Sequence, residues 1–217
     1  TAKAGLILVN INPAYRVAEL EYAINKVGCK ALILASSFKS SDYVSMVGEL
    51  APEIHKSKPG DISCVRLPSL KTVIQIGGET NDGYFDFEQI LGLDSNKGRE
   101  RLEILSDELQ FDDPINIQFT SGTTGFPKGA TLTHFNVLNN GYFTGEGLKF
   151  TSSDKLCVPV PLYHCFGMVL SNVAALTHGA ALVYPAEAFD PLTVLETVEA
   201  ERCTALHGVP TMFIAEL

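Results

Sequence analysis

The residues best suited to chemistry are Thr120-Ser-Gly-Thr-Thr-Gly-Phe-Pro-Lys-Gly129, ten consecutive positions with four hydroxyls, three glycines, one proline, one lysine and no acid. Glycines let backbone N–H groups turn inward and come close to a ligand, where a Cβ would stand in the way. Hydroxyls donate without bulk, and a lysine adds a mobile point charge suited to phosphate. Ile115–Phe119 alternates like a strand before the stretch, and Ala130–Thr133 is a second short strand after it. A small polar loop between two strands is a cradle for a polyanion. The other reading of such a composition is an ordinary Gly/Ser/Thr-rich surface loop.

A P-loop fails on spacing. Counted from Gly122 it requires glycine at 127 and Ser or Thr after the lysine, whereas Pro127 and Gly129 stand there. A P-loop also opens a helix, and the flanks here favour a hairpin. Thr120–Gly129 instead resembles, almost residue for residue, the phosphate-binding signature of the adenylate-forming enzymes. These include acyl-CoA synthetases, luciferases and the adenylation domains of peptide synthetases. The resemblance implies that Thr120, Ser121, Gly122, Thr123, Thr124, Gly125, Phe126, Pro127 and Lys128 bind ATP, with Thr123 and Lys128 acting catalytically.

A second informative stretch is Leu156-Cys-Val-Pro-Val-Pro-Leu-Tyr-His-Cys-Phe-Gly167, a strand ending at two prolines. Met168, Val169, Val173 and Leu176 then follow as the apolar stripe of a helix. A strand-to-helix junction exposes side chains at the carboxyl end of a sheet. Pro161-Leu-Tyr-His-Cys-Phe-Gly resembles the same family's second signature, where an aromatic–histidine pair borders the acid pocket. That likeness implies a pocket of Tyr163, His164, Phe166, Gly167 and Met168, with His164 catalytic beside the carboxylate. His207 and Gly208 fall at a later strand end and either border the same cleft or simply belong to the fold.

The reaction so implied has two halves. A carboxylate attacks the α-phosphate of Mg²⁺-bound ATP, giving an acyl-adenylate and pyrophosphate, and the thiol of coenzyme A then displaces AMP. Asn12-Pro-Ala-Tyr-Arg16 and the second signature are most similar to medium-chain fatty acyl-CoA synthetases of the mitochondrial type, which implies a fatty acid substrate and a mitochondrial matrix location. An aryl acid–CoA ligase, an amino-acid-adenylating domain and a non-catalytic, truncated nucleotide-binding module remain as alternatives. The family's ribose-binding, metal-binding and C-terminal lysine motifs have no counterpart in this sequence. The chain therefore reads as part of the large domain and is expected to be inactive alone.

Composition narrows the classes further. With 46% hydrophobic and 19% charged residues in 217, the chain reads as globular. A net charge of -9 argues against nucleic acid, and it requires ATP to be attracted locally by Lys128 and oriented dipoles. Cys29, Cys64, Cys157, Cys165 and Cys203 are scattered without C-x-x-C spacing, which suits a reducing compartment without structural zinc. No apolar run approaches the roughly 20 residues that span a bilayer. The acidic residues Asp107, Glu108, Asp112 and Asp113 lack calcium-loop spacing and read as a solvated face, so no metal ligands are assigned.

The elements that position these stretches follow from local signals. Gly5–Val9 and Ala31–Leu34 read as strands around a helix with Val17, Leu20, Ile24 and Val27 inward, ending at Gly28. That order suggests one parallel β-α-β unit. Ser41 or Asp42 caps a second helix carrying Val44, Val47 and Leu50, residues 55–68 read as a surface loop, and Thr72–Ile76 is a strand. Asn81-Asp-Gly83 is a turn, Phe87–Leu91 a short helix, and Thr133 caps a helix from His134. Gly145-Glu-Gly147 fails as a dinucleotide fingerprint because no strand feeds it and Phe150 takes the third glycine's place. Ala180–Tyr184 and Cys203–Gly208 are strands, and Asp190-Pro191 starts a helix with Leu192, Leu195 and Val198 inward. The expected class is α/β, part of the two-subdomain, mostly parallel-sheet large domain of the adenylate-forming enzymes. A first subdomain at 1–133 ends in the phosphate loop, and a second begins at 134–217.

Overall fold

The computed structural model describes residues 1–93, 95–120 and 126–217. Its sheets are mainly parallel and joined by helices, the α/β class expected. By contacts the chain forms two units, one of residues 11–107 and one combining 1–10 with 108–217. Residues 1–10 join the second of these because strand Leu8–Asn10 pairs in parallel with Pro114–Phe119. The expected β-α-β unit at the N-terminus is corrected by the same pairing. Ala31–Ala35, the strand after helix Val17–Val27, lies in a different sheet, parallel to Thr72–Ile76. Periodicity reads each strand but carries no information about a partner so far away in sequence.

The unit of residues 11–107 has one apolar core. Leu20 and Ile24 from helix Val17–Val27 meet Val47 and Leu50 from helix Tyr43–Leu50, over Leu34 and Val73 of the sheet. Asp42 caps the second helix by accepting the Ser45 N–H at 2.9 Å. Residues 55–68 are not the surface loop expected, since Ile62, Cys64 and Leu67 are buried in this core. They have no period because they lie in irregular chain, held by bonds such as Ile62 N–H to the Lys71 carbonyl at 3.2 Å. Beyond the short helix Phe87–Leu91, the charged stretch left uncommitted by sequence forms helix Asn96–Glu108, which buries no residue.

The other unit holds two three-stranded sheets. Pro114–Phe119 lies between Leu8–Asn10 and antiparallel Gly129–Thr133. Lys155–Cys157 lies between Ala181–Val183 and Ala205–Leu206, both parallel to it. Phe150, Leu156, Val158, Val160, Ala174 and Ala175 form the core over the second sheet. Helix His134–Leu148 begins with a reciprocal cap between Thr133 and Asn136, and Gly145 and Gly147 lie inside it. Helix Pro191–Glu201 is capped by Asp190 as expected, but Val194 is its buried residue, while Leu192 and Leu195 are exposed. Leu176 is likewise exposed. Among the described residues no helix is long and apolar enough to cross a membrane.

Asp154 ties three segments of this sheet together. Its carboxylate accepts the Thr204 hydroxyl at 2.8 Å and the Thr151 N–H at 2.8 Å, and its carbonyl accepts the Ala181 N–H at 2.9 Å. The Thr204 hydroxyl first, then the Thr151 N–H and hydroxyl, hold this carboxyl below its ordinary range. Its contribution to stability is thus present above the unfolded carboxylate pKa, about 3.9, and is lost as pH falls through the lower folded value. Asp154→Asn should lower the melting temperature at pH 7, and the gap should close in acid. A gap that did not change with pH would refute this linkage.

Candidate functional site

Thr120 and residues 126–128 flank the end of an antiparallel pair, with Phe119 opposite Gly129. Two hydrogen bonds close its mouth. The Thr120 N–H donates to the Lys128 carbonyl at 2.9 Å, and the Lys128 N–H donates to Thr120 Oγ1 at 3.3 Å. Both side chains lie at the surface, as does Phe126. Among the described residues, the hydrogen bonds of Lys128 here run through its backbone N–H and carbonyl. Ser121, Gly122, Thr123, Thr124 and Gly125 lie outside the described residues.

The strand leading into this mouth carries a polar row that the sequence reading missed. Asn116 Nδ2 donates to Asn10 Oδ1 at 2.7 Å and to the Leu8 carbonyl at 2.9 Å. Gln118 Nε2 lies 3.3 Å from the same Asn10 oxygen and 3.6 Å from the Met168 sulfur. Gln118 therefore joins the loop strand to the second signature through Met168. The available signal was the alternation of Asn116, Gln118 and Thr120 on one face of an otherwise apolar strand.

The second signature begins after strand Lys155–Cys157 and turns at Pro161, whose carbonyl accepts the His164 N–H at 3.2 Å. A π-helix, Phe166–Val173, follows and continues as helix Ala174–His178. Gly167 packs against the turn so closely that a Cβ would come within 2.4 Å of the Pro161 oxygen. His164 is exposed, and its Nδ1 lies 3.1 Å from the Phe166 N–H. An amide N–H only donates, so Nδ1 is the acceptor and a neutral ring carries its proton on Nε2. That arrangement presents an N–H donor to solvent, suited to a carboxylate or acyl phosphate oxygen.

A cavity of about 940 Å³ opens between helix His134–Leu148 and the π-helix. Cys165, Val169 and Leu170 line it from one side, and Phe135, Val137 and Phe143 from the other. Tyr163, His164, Phe166, Gly167 and Met168 are not in this lining. Phe166 instead packs on the His207 ring, with centroids 5.3 Å apart. His207 is half-buried, burial lowers its pKa, and its Nδ1 lies 2.8 Å from Ser171 Oγ. The structure thus brings His207 against the second signature, and adds Ser171, which the sequence had not singled out.

Known proteins resemble this chain along its whole length. The family model described as AMP-binding enzyme matches residues 1–217. The acyl-CoA synthetase YngI of Bacillus subtilis (strain 168) is 46% identical over 217 residues, covering 100% of this chain and 39% of that protein. The mitochondrial medium-chain acyl-CoA ligase ACSF2 of Danio rerio is 45% identical over 216 residues, covering 99% of this chain and 36% of that protein. The chain thus spans well under half the length of these relatives. Among solved structures, the anthranilate CoA ligase AuaEII in complex with anthranoyl-AMP superposes with a TM-score of 0.70 at 22% identity, over 96% of this chain and 36% of that one. The fold is therefore that of the adenylate-forming enzymes, and the chain belongs to the AMP-binding enzyme family.

Proposed function

We propose that this chain forms the phosphate- and acid-binding part of an enzyme that activates a fatty acid with ATP and transfers it to coenzyme A. The observation that carries the reading is the pairing, in one unit, of a closed hairpin mouth bearing Lys128 with an exposed Nε2–H on His164. Medium-chain acids are the proposed substrate class, and a mitochondrial matrix location is proposed with them, both from the Danio rerio relative. Five unpaired thiols among the described residues fit a reducing compartment. Turnover is assigned to the enzyme that carries this chain, since its relatives are far longer.

In this reading the carboxylate oxygen attacks the α-phosphorus of ATP, and the bond to pyrophosphate breaks in line. The protein's task is positioning and charge stabilisation rather than covalent chemistry. Lys128 with the hydroxyls of Thr120, Ser121, Thr123 and Thr124 would take the pyrophosphate charge. His164 Nε2–H would hold the acid's oxygen and later the acyl phosphate. The hairpin stretch carries hydroxyls and an ammonium but no carboxylate, so Mg²⁺ enters this reading as part of the ATP complex. The coenzyme A thiol would displace AMP in the second half, forming the thioester.

Calorimetric titration of the chain with Mg-ATP, beside Thr123→Ala and Lys128→Ala, tests the placement of the phosphates. Binding that weakens in both variants is expected. Binding of equal strength in all three proteins would remove the hairpin from the phosphate site.

A further inference from the structure

Ser171 and His207 answer a question raised by the π-helix, namely what fixes its first residue, Phe166. Ser171 is fully buried, and its hydroxyl donates to the Phe166 carbonyl at 3.0 Å, five residues back along the chain. A hydroxyl has one proton, and a carbonyl can only accept it. Ser171 Oγ must therefore meet His207 Nδ1 at 2.8 Å as the acceptor, with Nδ1 as the N–H donor. The His207 ring then lies against the Phe166 ring at 5.3 Å and against Phe150 at 6.4 Å. One histidine thus holds Phe166 twice, through its backbone by way of Ser171 and through its ring by contact.

The two histidines of this region consequently carry opposite tautomers when neutral. His164 accepts at Nδ1 and bears its proton on Nε2, whereas His207 donates from Nδ1. His164 is exposed and His207 half-buried behind Phe166. A π turn is a common feature of functional sites, where the widened backbone needs extra support from side chains. Here the support comes from a buried serine and from a histidine at the end of strand Ala205–Leu206.

We propose that His207 is a positioning residue that, through Ser171, sets the orientation of Phe166 and so the acid selectivity of the second signature. This rests on the acid-activation reading, in which Phe166 belongs to the acid pocket. His207 touches no reacting atom. Its removal should leave the hairpin and the Phe166 N–H bond to His164 in place while letting the Phe166 ring reorient. Selectivity between acids is sensitive to such a shift, because one methylene in an apolar pocket is worth about 10- to 200-fold.

The test has two arms. Nitrogen-15 NMR of the histidine rings in this chain should show His207 protonated at Nδ1, with that preference lost in Ser171→Ala. In the enzyme that carries the chain, His207→Ala should change the ratio of kcat/KM for short and long acids by about tenfold. His207→Asn, whose amide can donate from nearly the Nδ1 position, should restore most of it. An Nε2–H His207 in the intact chain overturns the proposal, and so does an unchanged ratio in His207→Ala. An unmutated enzyme that activates no acid overturns the selectivity role together with the activation reading. The expected tautomer would then show that the brace exists and that the functional reading is what failed.

Discussion

Lys128→Ala, placed in an enzyme that carries this chain, is expected to lower kcat/KM for acid activation by about 10²–10³-fold, the effect of deleting one donor to a charge that grows in the transition state. The melting temperature should stay close to that of the parent. Both expectations follow from the way Lys128 is held. Its N–H and carbonyl bond to Thr120, and alanine preserves both groups. Only the ammonium is lost, along with its attraction for the departing pyrophosphate. Thr120→Val is the complementary variant, since it keeps the ammonium but removes the oxygen that accepts the Lys128 N–H, and with it one proposed phosphate donor. Pyrophosphate release measured under kcat/KM conditions separates the two. A drop smaller than about fivefold for Lys128→Ala would show that this lysine does not face the phosphates, because even a modest charge contact of 1 kcal/mol is worth that much.

The framework around the candidate site is legible in sequence where its determinants are local. Pro127 and Gly129 exclude a P-loop and favour a hairpin, and the flanking strands do pair antiparallel. Asp42, Thr133 and Asp190 cap the helices that follow them, each through an oxygen reaching an N–H three residues on. What escapes is set by distant partners or by altered phase. Nothing local says that Leu8–Asn10 joins Pro114–Phe119, or that Ile62 and Leu67 fill a core without regular structure. The stripe from Met168 to Leu176 assumes a constant 3.6-residue period. A π-helix turns the later side chains out of that phase, which leaves Leu176 exposed. Helix Asn96–Glu108 buries nothing, so no apolar stripe exists to reveal it. The tautomers of His164 and His207 depend on single neighbours that only the folded chain supplies.

The turn at Asn81-Asp82-Gly83 shows a local signal and a distant constraint meeting at one residue. Gly83 has φ +82°, and a Cβ there would lie 2.1 Å from the Ile54 carbonyl oxygen and 2.9 Å from an Ile54 side-chain carbon. Ile54 is fully buried in the core that also takes Ile62, Leu67 and Tyr84. Gly83→Ala therefore combines backbone strain with a collision against backbone that the core holds fixed. Three alanine substitutions separate these effects by urea unfolding. Gly92 has helical φ, and among the described residues a Cβ would find just the Gln89 oxygen at 3.4 Å, so Gly92→Ala should be nearly neutral. Gly77 has φ +69° with nothing within 4 Å of a Cβ, so Gly77→Ala should cost about 1–2 kcal/mol, the left-handed penalty alone. Gly83→Ala should cost more than about 4 kcal/mol, in the range reserved for disrupted cores and strained backbone. The loss should register as faster amide exchange in Thr72–Ile76, whose Val73 belongs to the same core. Equal costs at positions 77 and 83 would mean that the Ile54 segment yields, and that residues 52–68 are held less firmly than their burial implies.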